Sequence, residues 1–113
     1  MKCKITVTPD FARELKRLSK RYPSLKQDYS DFLEELRKNP LMGTKLGKHL
    51  HKVRFSIASK GKGKSGGARV ITYNVLVETD GIDLTLVVIY DKSDQANITN
   101  KELKQLMKKN GLI

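Results

Sequence analysis

Apolar and polar positions alternate at the start of the chain, with Cys3, Ile5 and Val7 set against Lys4 and Thr6. That period predicts a short half-buried strand. Thr8-Pro9-Asp10 then reads as a helix start, with Thr8 as the cap, Pro9 in the first turn and Asp10 on the positive end of the dipole. Phe11, Leu15 and Leu18 form the apolar stripe of that helix, and Arg13, Lys16, Arg17, Lys20 and Arg21 take its solvent side. Pro23 ends it or bends it. Ser24 to Gln27 matches a capping box, and Leu25, Tyr29, Phe32, Leu33 and Leu36 follow at helical spacing until Asn39-Pro40. The two stretches make a helical hairpin suited to cover one face of a sheet.

The period then changes from helical to two. Val53, Phe55 and Ile57 alternate with Lys52, Arg54 and Ser56, so one set faces a core and the other the opposite side. Arg69 to Val77 predicts a second strand, with Arg69, Ile71 and Tyr73 on one face and Val70, Thr72 and Asn74 on the other. Leu84 to Tyr90 is almost continuously apolar, as in a strand buried on both sides, and Asp80-Gly81 supplies the turn before it. Thr99 to Glu102 forms another capping box, followed by Leu103, Leu106 and Met107 and a stop at Asn110-Gly111. The expected order is β-α-α-β-β-β-α, an α+β fold. Its last three strands are connected closely enough to be adjacent and antiparallel. The helices cannot cover both faces fully, so part of the sheet stays open on the side of Lys52 and Arg54.

A chain of 113 residues predicts one domain spanning 1–113. It holds no apolar run of membrane-span length and no signal-peptide pattern at its start. Cys3 is the only cysteine, which rules out an internal disulfide and fits a cytoplasmic setting, with its side chain a small buried hydrophobe. His49 and His51 flank Leu50 without cysteines or carboxylates nearby. They read as surface histidines, and no metal or cofactor is expected. Charge changes the picture most. The formal net charge is +11, which points to a polyanionic partner, while the lack of a span leaves no membrane partner expected. From Leu36 to Val77 there is no Asp or Glu, while Arg37, Lys38, Lys45, Lys48, Lys52, Arg54, Lys60, Lys62, Lys64 and Arg69 all fall inside. A merely solvated surface would mix the signs.

Within that run, residues 59–69 read SKGKGKSGGAR. Gly63-Lys64-Ser65 resembles the end of a nucleotide-binding P-loop, yet Ala58 stands where the first glycine belongs, and a strand follows where a helix is required. Strand, glycine-rich loop and strand make a hairpin arm instead. Lys60, Lys62 and Lys64 on it reach solvent and suit the grip of a nucleic-acid backbone, a salt-sensitive contact that carries little sequence information.

This element order, Lys52-Val53-Arg54, the lysine-glycine arm, Gly66-Gly67-Ala68-Arg69-Val70-Ile71 and Ile89-Tyr90-Asp91-Lys92 together resemble the RelE/HigB branch of the RelE/ParE toxin superfamily. The likeness runs from about Phe11 to Met107 and includes Leu46-Gly47 and Tyr73. It implies a RelE-like fold and a toxin of a type II toxin–antitoxin pair, which enters the ribosome and cleaves mRNA without metal through attack of a ribose 2′-hydroxyl on the adjacent phosphate. It also implies a cognate antitoxin, acidic or of helix-turn-helix type, through which alone operator DNA would be met.

The residues suit that chemistry. Preorganised cations stabilise charge gathering on phosphate oxygens. Arg54 and Arg69 can bind phosphate bidentately, Lys52 and Lys92 can act as point charges or as acid or base, and Tyr73 or Tyr90 can stack on a base or pass a proton. Lys52, Arg54, Arg69, Tyr90 and Lys92 are therefore the candidate catalytic set, and Lys48, Lys60, Lys62, Lys64 and Tyr73 the candidate RNA-binding set. Many such toxins carry a tyrosine or histidine near the C-terminus as acid or base. After Tyr90 this chain has neither, leaving Asp94 as the titratable group in that zone. Plainer readings stand beside these: Tyr90 can simply end a core strand, and Arg54 can pair structurally with Asp91 or Asp94. Two other functions also fit the composition, a ParE-like gyrase inhibitor and a ribosome- or RNA-binding module without chemistry.

Overall fold

The computed structural model describes residues 2–61, 66–77 and 80–113. Strand β1 (Lys2–Val7) leads into helices α1 (Pro9–Arg21) and α2 (Leu25–Lys38). Strands β2 (Thr44–Gly47) and β3 (Leu50–Phe55) follow, then a single 3-10 turn at Ala58–Lys60, strands β4 (Ala68–Val77) and β5 (Gly81–Asp91), and helix α3 (Asn100–Lys109). The sheet has five strands in the order β1-β5-β4-β3-β2. β3, β4 and β5 are antiparallel neighbours, as expected, and β1 adds to β5 in parallel. The fold is α+β with a mixed, open sheet.

Strand β2 is the element that the pattern did not predict. All four of its residues are exposed, so no apolar alternation marks it. It exists because β3 offers an edge, on which Thr44 pairs with Lys52 and Lys45 with His51. Gly43 permits the approach: its φ is +99°, and a Cβ there would lie 2.5 Å from the Lys52 carbonyl oxygen.

Two of the three predicted helix starts form as read. Thr8 Oγ1 accepts the Phe11 N–H at 3.0 Å and also donates to the Val87 carbonyl at 2.7 Å, so one hydroxyl caps α1 and ties it to β5. At α3 the Thr99–Glu102 box is complete, with Glu102 N donating to Thr99 Oγ1 and Thr99 N to Glu102 Oε1. The box expected at Ser24 is absent. Ser24 Oγ donates to Asp28 Oδ2 at 2.7 Å and accepts the Ser59 N–H at 2.9 Å, while Asp28 accepts the Ala58 N–H. The 3-10 turn has taken over the side chain that would have capped α2.

The core lies on both sides of the sheet. Phe11, Leu18, Leu25, Phe32 and Leu36 of the helical hairpin pack on Val53, Phe55, Val70, Leu84, Leu86 and Ile89. On the other side Leu103 and Met107 of α3 cover Ile71, Val87 and Tyr90. Cys3 is half-buried against the hairpin-side core, and Val7 at the end of β1 is exposed, against its expected inward phase.

A bulge in β5 makes this division possible. Ile71 pairs with Val88 and Thr72 with Leu86, leaving Val87 as the extra residue. The alternation shifts by one there. Leu84 and Leu86 before it and Ile89 after it all join the hairpin-side core, and Val87 turns to α3. The same shift sends Asp91 to the hairpin side and Tyr90 and Lys92 to the other. Among the described residues no helix is long and apolar enough to cross a membrane.

Candidate functional site

The α3 side of the sheet is only partly covered. Beyond the end of α3's footprint, β3 contributes Lys52 and Arg54, β4 contributes Arg69, and Lys92 follows β5. With Thr44 of β2 and Ala96 they line a depression of about 200 Å³. Among the described residues six line it, of which four are cationic and none is a carboxylate.

The register explains the convergence. Arg54 pairs with Arg69, and Arg69 pairs in turn with Tyr90. Like charges directly opposite one another on a sheet are unfavourable, so this pairing costs stability that an anion between them would recover. Arg69 is the more rigid of the two. It is buried, and its Nη1 donates to the Ala68 carbonyl at 3.0 Å. Arg54 is exposed. The Lys92 ammonium donates to the Ala96 carbonyl at 3.4 Å, which turns it back over the depression. Two guanidiniums in forked geometry and two point charges on one concave surface can hold the oxygens of a phosphate and stabilise negative charge that builds on them.

Arg54 also borders a smaller hollow of about 160 Å³, shared with Asp28, Asp31 and Glu35 of α2 and with Ser56. Among the described residues β2 pairs with β3 only as far as Lys52, and Arg54, two positions beyond, lines both hollows. A hollow of about 260 Å³ between α1 and α2 is apolar and is not lined by any residue of the cationic cluster.

The other predicted residues divide. Tyr90 belongs to the core under α3, with 3% of its surface exposed. Its hydroxyl donates to Asn97 Oδ1 at 3.4 Å. Burial raises its pKa, partly offset by Arg69, so it is neutral at pH 7 and sits beside the cluster instead of lining it. Tyr73 is half-buried farther along β4, edge-on to His49 with ring centroids 6.0 Å apart, and Lys48 is exposed in the turn between β2 and β3. Neither lines the depression. Lys62 and Lys64 lie outside the described residues.

Lys60 departs from expectation. It does not reach into solvent: only 7% of its side chain is accessible, and its ammonium lies 2.7 Å from Asp91 Oδ1. It also donates to Ser93 Oγ at 2.9 Å. Asp91 is fully buried and needs a cation there. Burial alone would push its carboxyl up, but Lys60, the Tyr22 hydroxyl and the Ser93 N–H outweigh that and hold its pKa at about 2. The ion pairs of Asp91 and Asp94 go to Lys60, Arg17 and Arg21, and not to Arg54. Arg21 and Arg17 keep the Asp94 carboxyl below its ordinary pKa and on the α1 side. A strongly held carboxylate facing away from the cations is a poor general base, so Asp94 loses that candidacy.

Sequence reasoning missed Asp91 and Tyr22, whose hydroxyl donates to Asp91 Oδ2 at 2.6 Å. A signal existed: Asp91 directly follows the apolar run Leu84–Tyr90, where a charge must find a buried partner. Thr44 was missed because β2 was. Among the described residues no group of three or more His, Cys, Asp or Glu side chains could hold a metal ion. A family model described as the RelE toxin of the RelE/RelB toxin–antitoxin system matches residues 4–112.

Proposed function

Because the chain thereby belongs to the RelE toxin family of toxin–antitoxin systems, and so has an antitoxin as its partner, we propose that it inhibits translation as a ribosome-dependent endoribonuclease that cuts mRNA. The observation that carries this reading is the depression in which Lys52, Arg54, Arg69 and Lys92 converge. In the proposed step the ribose 2′-hydroxyl gives its proton to solvent water as its oxygen attacks the adjacent phosphorus, the bond from phosphorus to the 5′-oxygen breaks, and a cyclic phosphate and a 5′-hydroxyl result. Arg69, held rigid by the sheet, and Arg54 grip the non-bridging oxygens as negative charge accumulates on them. Lys52 and Lys92 flank them as point charges, and in this reading one of these ammonium groups protonates the departing 5′-oxygen. Ribosome and mRNA are polyanions, which the +11 charge suits. Lys48, Tyr73, Lys62 and Lys64 contribute to RNA binding away from the reacting phosphate.

One observation favours a second reading, a ribosome-binding toxin that blocks without cutting: among the described residues no carboxylate or imidazole lines the depression to take the 2′-proton. Primer extension on a reporter transcript, in cells expressing the toxin without its antitoxin, separates the two. New ends inside the coding region are expected. Arrested growth and translation with whole transcripts would refute the nuclease reading and leave the blocking one.

A further inference from the structure

Lys60 and Asp91 stand at the root of the depression but on the far side of β5 from it. We infer that they form a positioning pair, which pins the chain on either side of residues 62–65 against β5 and thereby fixes Arg69 and Lys92 relative to each other without touching RNA. The inference rests on the nuclease reading for its consequence, though not for its geometry.

The connections form a closed circuit. The Lys60 ammonium donates to Asp91 Oδ1 at 2.7 Å, to Ser93 Oγ at 2.9 Å and to the Gly67 carbonyl at 3.5 Å. That same Gly67 carbonyl accepts the Lys92 N–H at 3.1 Å. Asp91 Oδ1 takes the Ser93 N–H at 2.8 Å, while Oδ2 takes the Tyr22 hydroxyl at 2.6 Å and Arg21 Nη1 at 3.4 Å. One carboxylate thus joins the end of α1, the 3-10 turn after β3 and the turn after β5. Gly67 must lie this close, because a Cβ on it would collide with the Phe55 carbonyl. Two residues beyond Gly67 is Arg69, and one residue beyond Asp91 is Lys92. Both cations therefore leave the backbone from points that the pair holds.

A direct RNA contact by Lys60 is the competing role, and the count of donors opposes it. An ammonium group has three hydrogens, and Asp91, Ser93 and Gly67 use all three. The ammonium also lies 5.5 Å from the centre of the Tyr22 ring, on the hairpin side and not on the side of the depression.

The test uses the full chain, with single-turnover cleavage of mRNA on programmed ribosomes and amide hydrogen exchange of the free toxin. Lys60→Met should lower the cleavage rate on saturating ribosomes about tenfold or more, leave the half-saturating ribosome concentration within about twofold, and speed exchange of the Lys92 amide while α2 amides hold. Lys60→Arg should recover part of the rate. If Lys60→Met is too unstable to study, the double variant Lys60→Met/Asp91→Asn removes both buried charges and should still cut slowly at saturation. A Lys60→Met protein that needs more ribosomes but cuts at the full rate once saturated would make Lys60 an RNA contact and overturn the inference. Full-rate cutting by the double variant would do the same. If the wild-type toxin cuts nothing, the nuclease reading fails by itself, and the pair is judged on exchange: an unchanged Lys92 amide in both variants overturns it, faster local exchange upholds it.

Discussion

Two groups of cations flank the end of β5, and they have opposite surroundings. On the hairpin side Arg17, Arg21 and Lys60 each meet a carboxylate of the same chain, from Glu14, Asp91 or Asp94. On the other side Lys52, Arg54, Arg69 and Lys92 line a hollow to which no carboxylate among the described residues contributes. The first group is internally matched and holds the fold together. The second brings like charges together on one surface, with Arg54 directly opposite Arg69. Positive charge alone therefore does not mark a functional surface. What marks it is the convergence of cations from β3, β4 and the end of β5 on one concave surface, and β5 decides the matter by sending Asp91 to one side and Lys92 to the other.

The comparison breaks most visibly at Asp91. Asp91→Ala would leave the buried Lys60 uncompensated, and losing one partner of such a pair costs about 3–5 kcal/mol. A thermal or urea melt should show the loss, and a change under about 1 kcal/mol would mean that the matched group is not structural. Arg69→Ala should have the opposite signature. Removing one preorganised donor costs about 3 kcal/mol of transition-state stabilisation, roughly a hundredfold in cleavage rate, with ribosome binding largely kept. Should saturating ribosomes restore its full rate, Arg69 is a binding group only.

Acid sharpens the contrast further. The Asp91 carboxyl titrates at about 2 in the fold against an ordinary 3.8, so the unfolded chain takes up the proton first as pH falls. The stability it contributes, about 2 kcal/mol, is complete above roughly pH 4 and is lost as pH falls through 2. Asp10, lowered by Lys109 and Asn110, and Asp94, lowered by Arg21 and Arg17, act in the same direction. Melting temperature measured from pH 5 to pH 2 should decline, and Asp91→Asn should flatten part of that decline. A variant with the wild-type slope would count against the assignment. The smallest effect belongs to Asp94→Ala, whose ion pairs are partly exposed and screened. It should cost under about 1 kcal/mol and leave cutting unchanged. A lost cleavage rate there would return Asp94 to the list of acid–base candidates.

Much of the architecture was legible because its causes are local. Thr8-Pro9 and Thr99 to Glu102 start helices with groups three residues apart, and the period-two pattern of Val53, Phe55 and Ile57 states which side of β3 meets the core. The cap expected at Ser24 failed for the complementary reason: Ser59, distant in sequence, competes for the same oxygen and wins it. β2 escaped notice because an edge strand with every residue exposed needs no apolar pattern, only a neighbour to pair with. Of the candidate site, Lys52, Arg54, Arg69 and Lys92 could be named from residue type and order, yet Lys60 could not be told apart from them.

By itself, then, the order of residues determined the helices, the three main strands, which faces are apolar and the excess of positive charge, since each follows from contacts within a few residues. Which cations converge on the depression and which pair with Asp91 and Asp94 was decided only by the tertiary structure. Ion pairing requires groups within about 4 Å of one another, and Lys60 and Asp91 are brought that close across 31 positions of sequence. The single extra residue at Val87 completes the decision, because it fixes the side of the sheet on which Asp91 and Lys92 emerge.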